Sequence, residues 1–119
     1  MTIEEEIIAN PILREVSQLL TTPYQKEMLS TQTAKGIAKY PNTVNVDDYS
    51  IVGWIDHNMQ ELIDSTVYYK AAIKKIEGKD LDLVEEYFLE LLNDGLNNNI
   101  ERLNTLENMR FRYLEVTDT

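Results

Sequence analysis

The chain contains no cysteine. That excludes a disulfide framework and any thiolate-held zinc site. Glycine and proline are scarce, four and three among 119 residues. With Leu, Ile, Glu and Asn abundant, that balance favours helix over sheet. Cations are also few: 11 Lys and Arg stand against 21 Asp and Glu, for a net charge of −10. A surface this acidic repels nucleic-acid backbone and anionic lipid alike. Free nucleotides are a different case, because divalent cations bridge them to carboxylates. The same surface could meet a basic partner or simply keep the protein soluble. No apolar run approaches the length of a membrane span. The first residues, MTIEEEII, are acidic where a signal peptide is basic, so a cytoplasmic protein is expected. A hydrophobic fraction of 43% suits a folded chain, and the length suits one helical domain, residues 1–119.

Apolar spacing along the chain is helical throughout. Ile7, Ile8, Ile12, Leu13, Val16, Leu19 and Leu20 recur at three and four, with Pro11 interrupting. Asn10 and Pro11 read as a cap and first-turn proline, so residues 1–10 are expected to be short or frayed and a helix to run over 11–20. Thr22 and Pro23 repeat that start signal, and Tyr24, Met28, Thr31, Ala34 and Ile37 share one face of the helix they open. PNTVNVDDYS is the clearest loop. A long central helix is expected over about 50–77, ended by a left-handed Gly78. Its heptad-like rhythm is Ile51, Trp54, Asn58, Leu62, Ser65, Tyr69, Ala72 and Ile76, with a second edge of Ile55, Met59, Ile63 and Val67.

After a GKD turn, Asp80 is a candidate cap. Leu81, Val84, Phe88, Leu91 and Leu92 form the expected buried stripe of the next helix. Gly95 and Asn97 to Asn99 predict a kink or break, since Asn amides compete for the backbone. Ile100, Leu103, Leu106 and Leu114 share a face beyond it, and residues 117–119 are an expected frayed tail. The fold class is all-α, a bundle of four to five helices, expected to be oligomeric.

One stripe carries candidate chemistry. At 3.6 residues per turn, His57, Glu61, Asp64 and Tyr68 stack on one side of the central helix. Glu61 and Asp64 could share one hard cation, and Mg²⁺ needs only one or two carboxylates beside its waters. Glu90 and Asp94, with Glu86 on the same face, are candidates for the other half of such a site if the two helices run antiparallel. Four carboxylates packed without a cation would repel and take up protons. Lys35, Lys39 and Arg110 are candidate phosphate contacts; His57 and Tyr68 are candidate nucleotide contacts. Arg102 and Arg112 lie in the last helix as further cations.

DHNMQELIDSTVYY resembles the acidic helix of the MazG-like, all-α nucleoside triphosphate pyrophosphohydrolases, with Glu61, Asp64 and Tyr69 at matching positions. KGIAKYP, Lys35 to Pro41, resembles the Lys-Tyr-Gly turn of small phage members, as do Trp54 and His57. The resemblance spans about residues 24–76. It implies a helical bundle, often a dimer or tetramer, that hydrolyses (d)NTP to (d)NMP and pyrophosphate with Mg²⁺ at paired acidic motifs, in the host cytoplasm if phage-encoded. The family's Glu-rich preceding helix is absent: only Glu27 occupies that segment. Two alternatives therefore stand beside hydrolysis. One is a non-catalytic phage-type protein that sequesters a nucleotide or cyclic nucleotide signal. The other is an acidic helical interaction protein.

Overall fold

A computed structural model describes residues 1–40, 42–78 and 80–117. The described residues are helical, with no strand: α1 Ile3–Ala9, α2 Pro11–Leu19, α3 Pro23–Lys39, a 3₁₀ turn at Val46–Asp48, α4 Ile51–Glu77 and α5 Leu83–Thr117. The all-α expectation holds, with five α-helices. The chain divides into two compact units, residues 1–48 and 49–119.

In the first unit, α1 packs on α2 and on α3 around Ile7, its one buried apolar residue. Residues 3–9 form a helix of their own and not a frayed turn, because Thr2 Oγ1 accepts from Glu5 N–H at 3.1 Å. Asn10 occupies the corner between α1 and α2. Its Oδ1 accepts from Ile12 N–H (3.0 Å) and Leu13 N–H (3.2 Å), which caps α2 ahead of Pro11. Its Nδ2 donates to Thr43 Oγ1 (3.0 Å) and to the Val44 carbonyl (2.7 Å). One amide thus starts a helix and fastens the loop that follows α3. Asn10→Asp keeps the acceptor and removes the donor, setting a carboxylate against the Val44 carbonyl. We expect a loss of about 1–3 kcal/mol, with the α2 cap intact and faster hydrogen exchange at Asn45 N–H, which donates to Asp48 Oδ2 at 2.9 Å. Unchanged exchange there would show that Asn10 does not hold the loop.

On α3 the expected cap is present: Thr22 Oγ1 accepts from Gln25 N–H at 3.1 Å. The face read from the sequence is only partly the inward one. Tyr24, Met28 and Thr31 are exposed, while Ser30, Thr33, Ala34 and Ile37 are half-buried.

The second unit is a hairpin of two long helices. Asn99 Nδ2 donates to Ser65 Oγ (3.0 Å), and Arg110 Nε donates to Asp56 Oδ1 (2.7 Å). Numbers rise along one helix as they fall along the other, so the pair is antiparallel. The inward seam of α4 is Val52, Ile55, Met59, Leu62, Thr66, Tyr69, Ile73 and Ile76; that of α5 is Glu85, Leu89, Leu92, Leu96, Asn99, Leu103, Leu106 and Arg110. Both alternate steps of three and four, the geometry of a coiled-coil seam. Ile73 is the deepest side chain, 1% exposed. This seam is rotated from the one read in the sequence: Ile51 and Asn58 are exposed, and so are Val84, Phe88, Leu91 and Ile100.

Three local expectations are corrected. Helix α5 runs unbroken through Gly95 and Asn97 to Asn99. Asn99 there points inward, 4% exposed, and its amide is satisfied on α4, so tertiary contacts outweigh its weak local preference. Asp82, not Asp80, caps α5, accepting from Glu85 N–H at 2.8 Å. Gly78 ends α4 at φ −74°, outside the left-handed region. Ser50 starts α4 as expected, accepting from Gly53 N–H at 3.0 Å. Thr117 is still helical. Pro41 of the KGIAKYP turn, Lys79 of the GKD turn, and Asp118 and Thr119 of the tail lie outside the described residues.

Candidate functional site

Glu61 and Asp64 lie on α4, both exposed, and neither carboxylate has a hydrogen bond or ion pair among the described residues. Each is off the seam, so both project away from α5. The hairpin register places Glu90 and Asp94 elsewhere. Gly95 meets Tyr69, so Asp94 stands at the height of Tyr69. Glu61 is eight residues earlier on α4, about 12 Å along the axis at 1.5 Å per residue, and Glu90 is higher still, about 20 Å from it. Glu90 and Asp94 also sit on the side of α5 opposite Leu92 and Leu96, facing away from α4. Among the described residues no three His, Asp or Glu side chains gather as a metal group. A single chain therefore does not assemble the four carboxylates Glu61, Asp64, Glu90 and Asp94 around one ion.

The other candidates scatter. Arg110 is held by Asp56 in a two-point pair, Nε to Oδ1 at 2.7 Å and Nη2 to Oδ2 at 3.4 Å. That half-exposed contact engages two of the guanidinium nitrogens within the chain. His57 lies against the Tyr49 ring, centroids 4.0 Å apart, and Tyr49 meets Trp54 edge-on at 4.9 Å. The histidine is thus part of an aromatic cluster at the start of α4. Tyr68 is 71% exposed. Lys35 is exposed on α3, in the first unit, and Lys39 in its last turn stands over the Tyr40 ring at 5.6 Å.

What the hairpin does assemble is a groove of about 660 Å³ between α4 and α5. Asn58 and Leu62 form one wall, and Asn98, Arg102, Thr105 and Leu106 belong to the other, with Glu101 at the rim. Its volume falls in the range of small-molecule sites, but it is an open groove lined mostly by polar side chains, with Leu62 and Leu106 as its apolar floor. Among the described residues Arg102 has no ion-pair or hydrogen-bond partner. Its five donors are free for a planar anion. The Asn amides offer both donors and acceptors, as a nucleobase edge requires. Glu61 stands one helical turn beyond Asn58 on the same flank of α4. The groove was not legible in the sequence, because Asn98 and Arg102 meet Asn58 only through the hairpin register.

A second hollow, about 620 Å³, lies in the first unit and includes Glu6, Asn10, Asp47 and Asp48. Its acids serve the local turn: Asp48 Oδ2 accepts from Asn45 N–H, and Asn45 Oδ1 accepts from Asp47 N–H, both at 2.9 Å. No described helix is long and apolar enough to cross a membrane. Comparison with protein-family models, curated proteins and solved structures finds no match to the chain.

Proposed function

We propose that this chain handles nucleotides, binding a (d)NTP along the α4–α5 groove and hydrolysing it to (d)NMP and pyrophosphate with Mg²⁺ at Glu61 and Asp64. The observation that carries the reading is the placement of an unpartnered guanidinium, Arg102, and an unpaired carboxylate, Glu61, on one flank of the same hairpin. Arg102 offers charge and a fork of donors to phosphate oxygens. Asn58 and Asn98 can meet a base or ribose, and Leu62 and Leu106 supply an apolar floor. Glu61 and Asp64, three residues apart and free of other cations, fit the protein's share of a Mg²⁺ shell, one or two carboxylates with the rest supplied by water and phosphate. Bound there, the ion would offset charge on the phosphate oxygens during attack by water. The net charge of −10 makes that cation a condition for bringing a triphosphate close.

A second reading has its own support. With no group of three His, Asp or Glu side chains among the described residues, the groove could hold a nucleotide or cyclic nucleotide without turning it over, as a sequestering protein does. One experiment separates the two. The protein is incubated with a panel of (d)NTPs and Mg²⁺, scoring monophosphate product and, in parallel, thermal stabilisation. We expect product with at least one nucleotide, a drop of roughly 100-fold or more with Glu61→Gln, and weaker nucleotide binding with Arg102→Ala. Stabilisation without product, unaffected by chelation, supports sequestration. Neither product nor stabilisation with any nucleotide defeats both readings and leaves the acidic interaction protein.

A further inference from the structure

Helix α4 carries a second seam that α5 does not use. Asp56, Gln60, Ile63, Val67, Lys70 and Lys74 follow one another at steps of four, three, four, three and four. That is the heptad spacing of the inward seam, displaced around the helix. The stripe lies on the flank away from the groove: Leu62 turns inward with Asn58 on one side of it and Ile63 on the other. Ile63 and Val67 are 53% and 58% exposed, and Ile100 of α5, 43% exposed, stands beside them at the same height. Gln60, Lys70 and Lys74 are exposed as well. Acid lies at one end, base at the other and aliphatic residues at the centre.

This order is self-complementary. Laid antiparallel on its own copy about a point at Ser65, the stripe sets Ile63 against Val67, Gln60 against Lys70, and Asp56 against Lys74. An isologous two-fold contact requires this property of a surface. Parallel pairing would set Lys74 against Lys74 and Asp56 against Asp56. Asp56 retains capacity for a second cation, since Arg110 holds its Oδ2 only at 3.4 Å. The area also fits. From 56 to 74 is about 28 Å of helix, and a hairpin is about 20 Å wide, so two faces would bury about 1,100 Å² together. That clears the roughly 1,000 Å² expected of a biological interface and falls in the weak, reversible class.

We propose that a second copy of this chain docks on this stripe, α4 against α4 in antiparallel orientation, forming a four-helix contact with the twofold axis near Ser65. The contact leaves the groove and Glu61 open, so it stands or falls separately from the nucleotide reading. The absence of native cysteine makes the test clean. Gln60→Cys and Lys70→Cys are prepared as separate full-length proteins, mixed, and oxidised. In the antiparallel pair residue 60 faces residue 70 of the other copy, within the Cα separation of under about 7 Å that a disulfide needs. Two copies of residue 60 would stand about 15 Å apart along the axis. We expect a cross-link in the mixture and little in either protein alone, and a light-scattering mass near twice 13.8 kDa for the unmodified chain. Ile63→Asp should weaken the dimer at least ten-fold while helicity is retained. A one-chain mass at all concentrations overturns the proposal. So do cross-links of Gln60→Cys to itself, or a dimer unaffected by Ile63→Asp.

Discussion

Gly95→Ala will destabilise the α4–α5 hairpin by about 2 kcal/mol, although alanine is the better helix former. On propensity alone the exchange would stabilise an exposed helix by about 1 kcal/mol. Here the Tyr69 ring lies directly on the glycine backbone. A β-carbon at residue 95 would stand 2.5 Å from both Tyr69 Cε1 and Cζ, and 2.7 Å from its hydroxyl oxygen. Real β-carbons are not found so close to other atoms, and an aromatic ring cannot yield by bending. Either Tyr69 leaves its rotamer or the helices part, and overpacking of this kind costs about 1–3 kcal/mol or more. Gly95→Val should cost more, because its second branch meets the same ring. Denaturant melts of the single variants, of Tyr69→Leu, and of Tyr69→Leu with Gly95→Ala complete a double-mutant cycle. With the ring shortened, Gly95→Ala should turn neutral or stabilising. A single Gly95→Ala that raises stability would remove this contact from the account.

Ile73→Ala should lose about 2–4 kcal/mol, the other large effect. Ile73 is 1% exposed, the most enclosed side chain described in the hairpin, and Asn99 is the only other buried one among the described residues of that unit. Truncation removes its transfer free energy and leaves a void between helices that lack a second core layer to collapse into it. Ile73→Val should cost only about 1 kcal/mol. Leu83→Ala, at an 83% exposed position at the start of α5, is the control and should move stability by under about 0.5 kcal/mol. For a hairpin of this size the Ile73→Ala loss corresponds to a fall of roughly 10 °C or more in Tm. The three proteins must be compared at one concentration, because a dimer contact ties stability to protein concentration. Equal midpoints for Ile73→Ala and Leu83→Ala would show that the seam is not where the hairpin's stability lies.

Both residues show where sequence reading stops. Gly95 stands in the sequence as a helix breaker, next to three Asn residues that strengthen the impression. The tertiary structure gives each a different role. Gly95 makes room for a ring, Asn99 bonds to Ser65, and Asn98 faces the groove. Ile73 shows the same limit, since nothing in the sequence separates it from the other apolar residues of a helix that is apolar over a wide arc.

The sequence by itself determined the helical class and most helix starts. Caps and first-turn prolines act over three or four residues, so Asn10 with Pro11, Thr22 with Pro23, and Ser50 are readable where they stand. It also determined that Glu61 and Asp64 share a side of α4, because helical periodicity alone fixes that. Which side is inward was decided only by the tertiary structure. The apolar arc of α4 contains two heptad seams, and periodicity cannot choose between them. Register between α4 and α5 was likewise beyond the sequence. It rests on Tyr69 meeting Gly95, on Ser65 meeting Asn99 and on Asp56 meeting Arg110, contacts between residues far apart in the chain. Those three contacts set Glu90 and Asp94 away from Glu61, and bring Arg102 to Asn58. Local rules write a helix and its faces, but the height at which two helices meet depends on side-chain shapes on both.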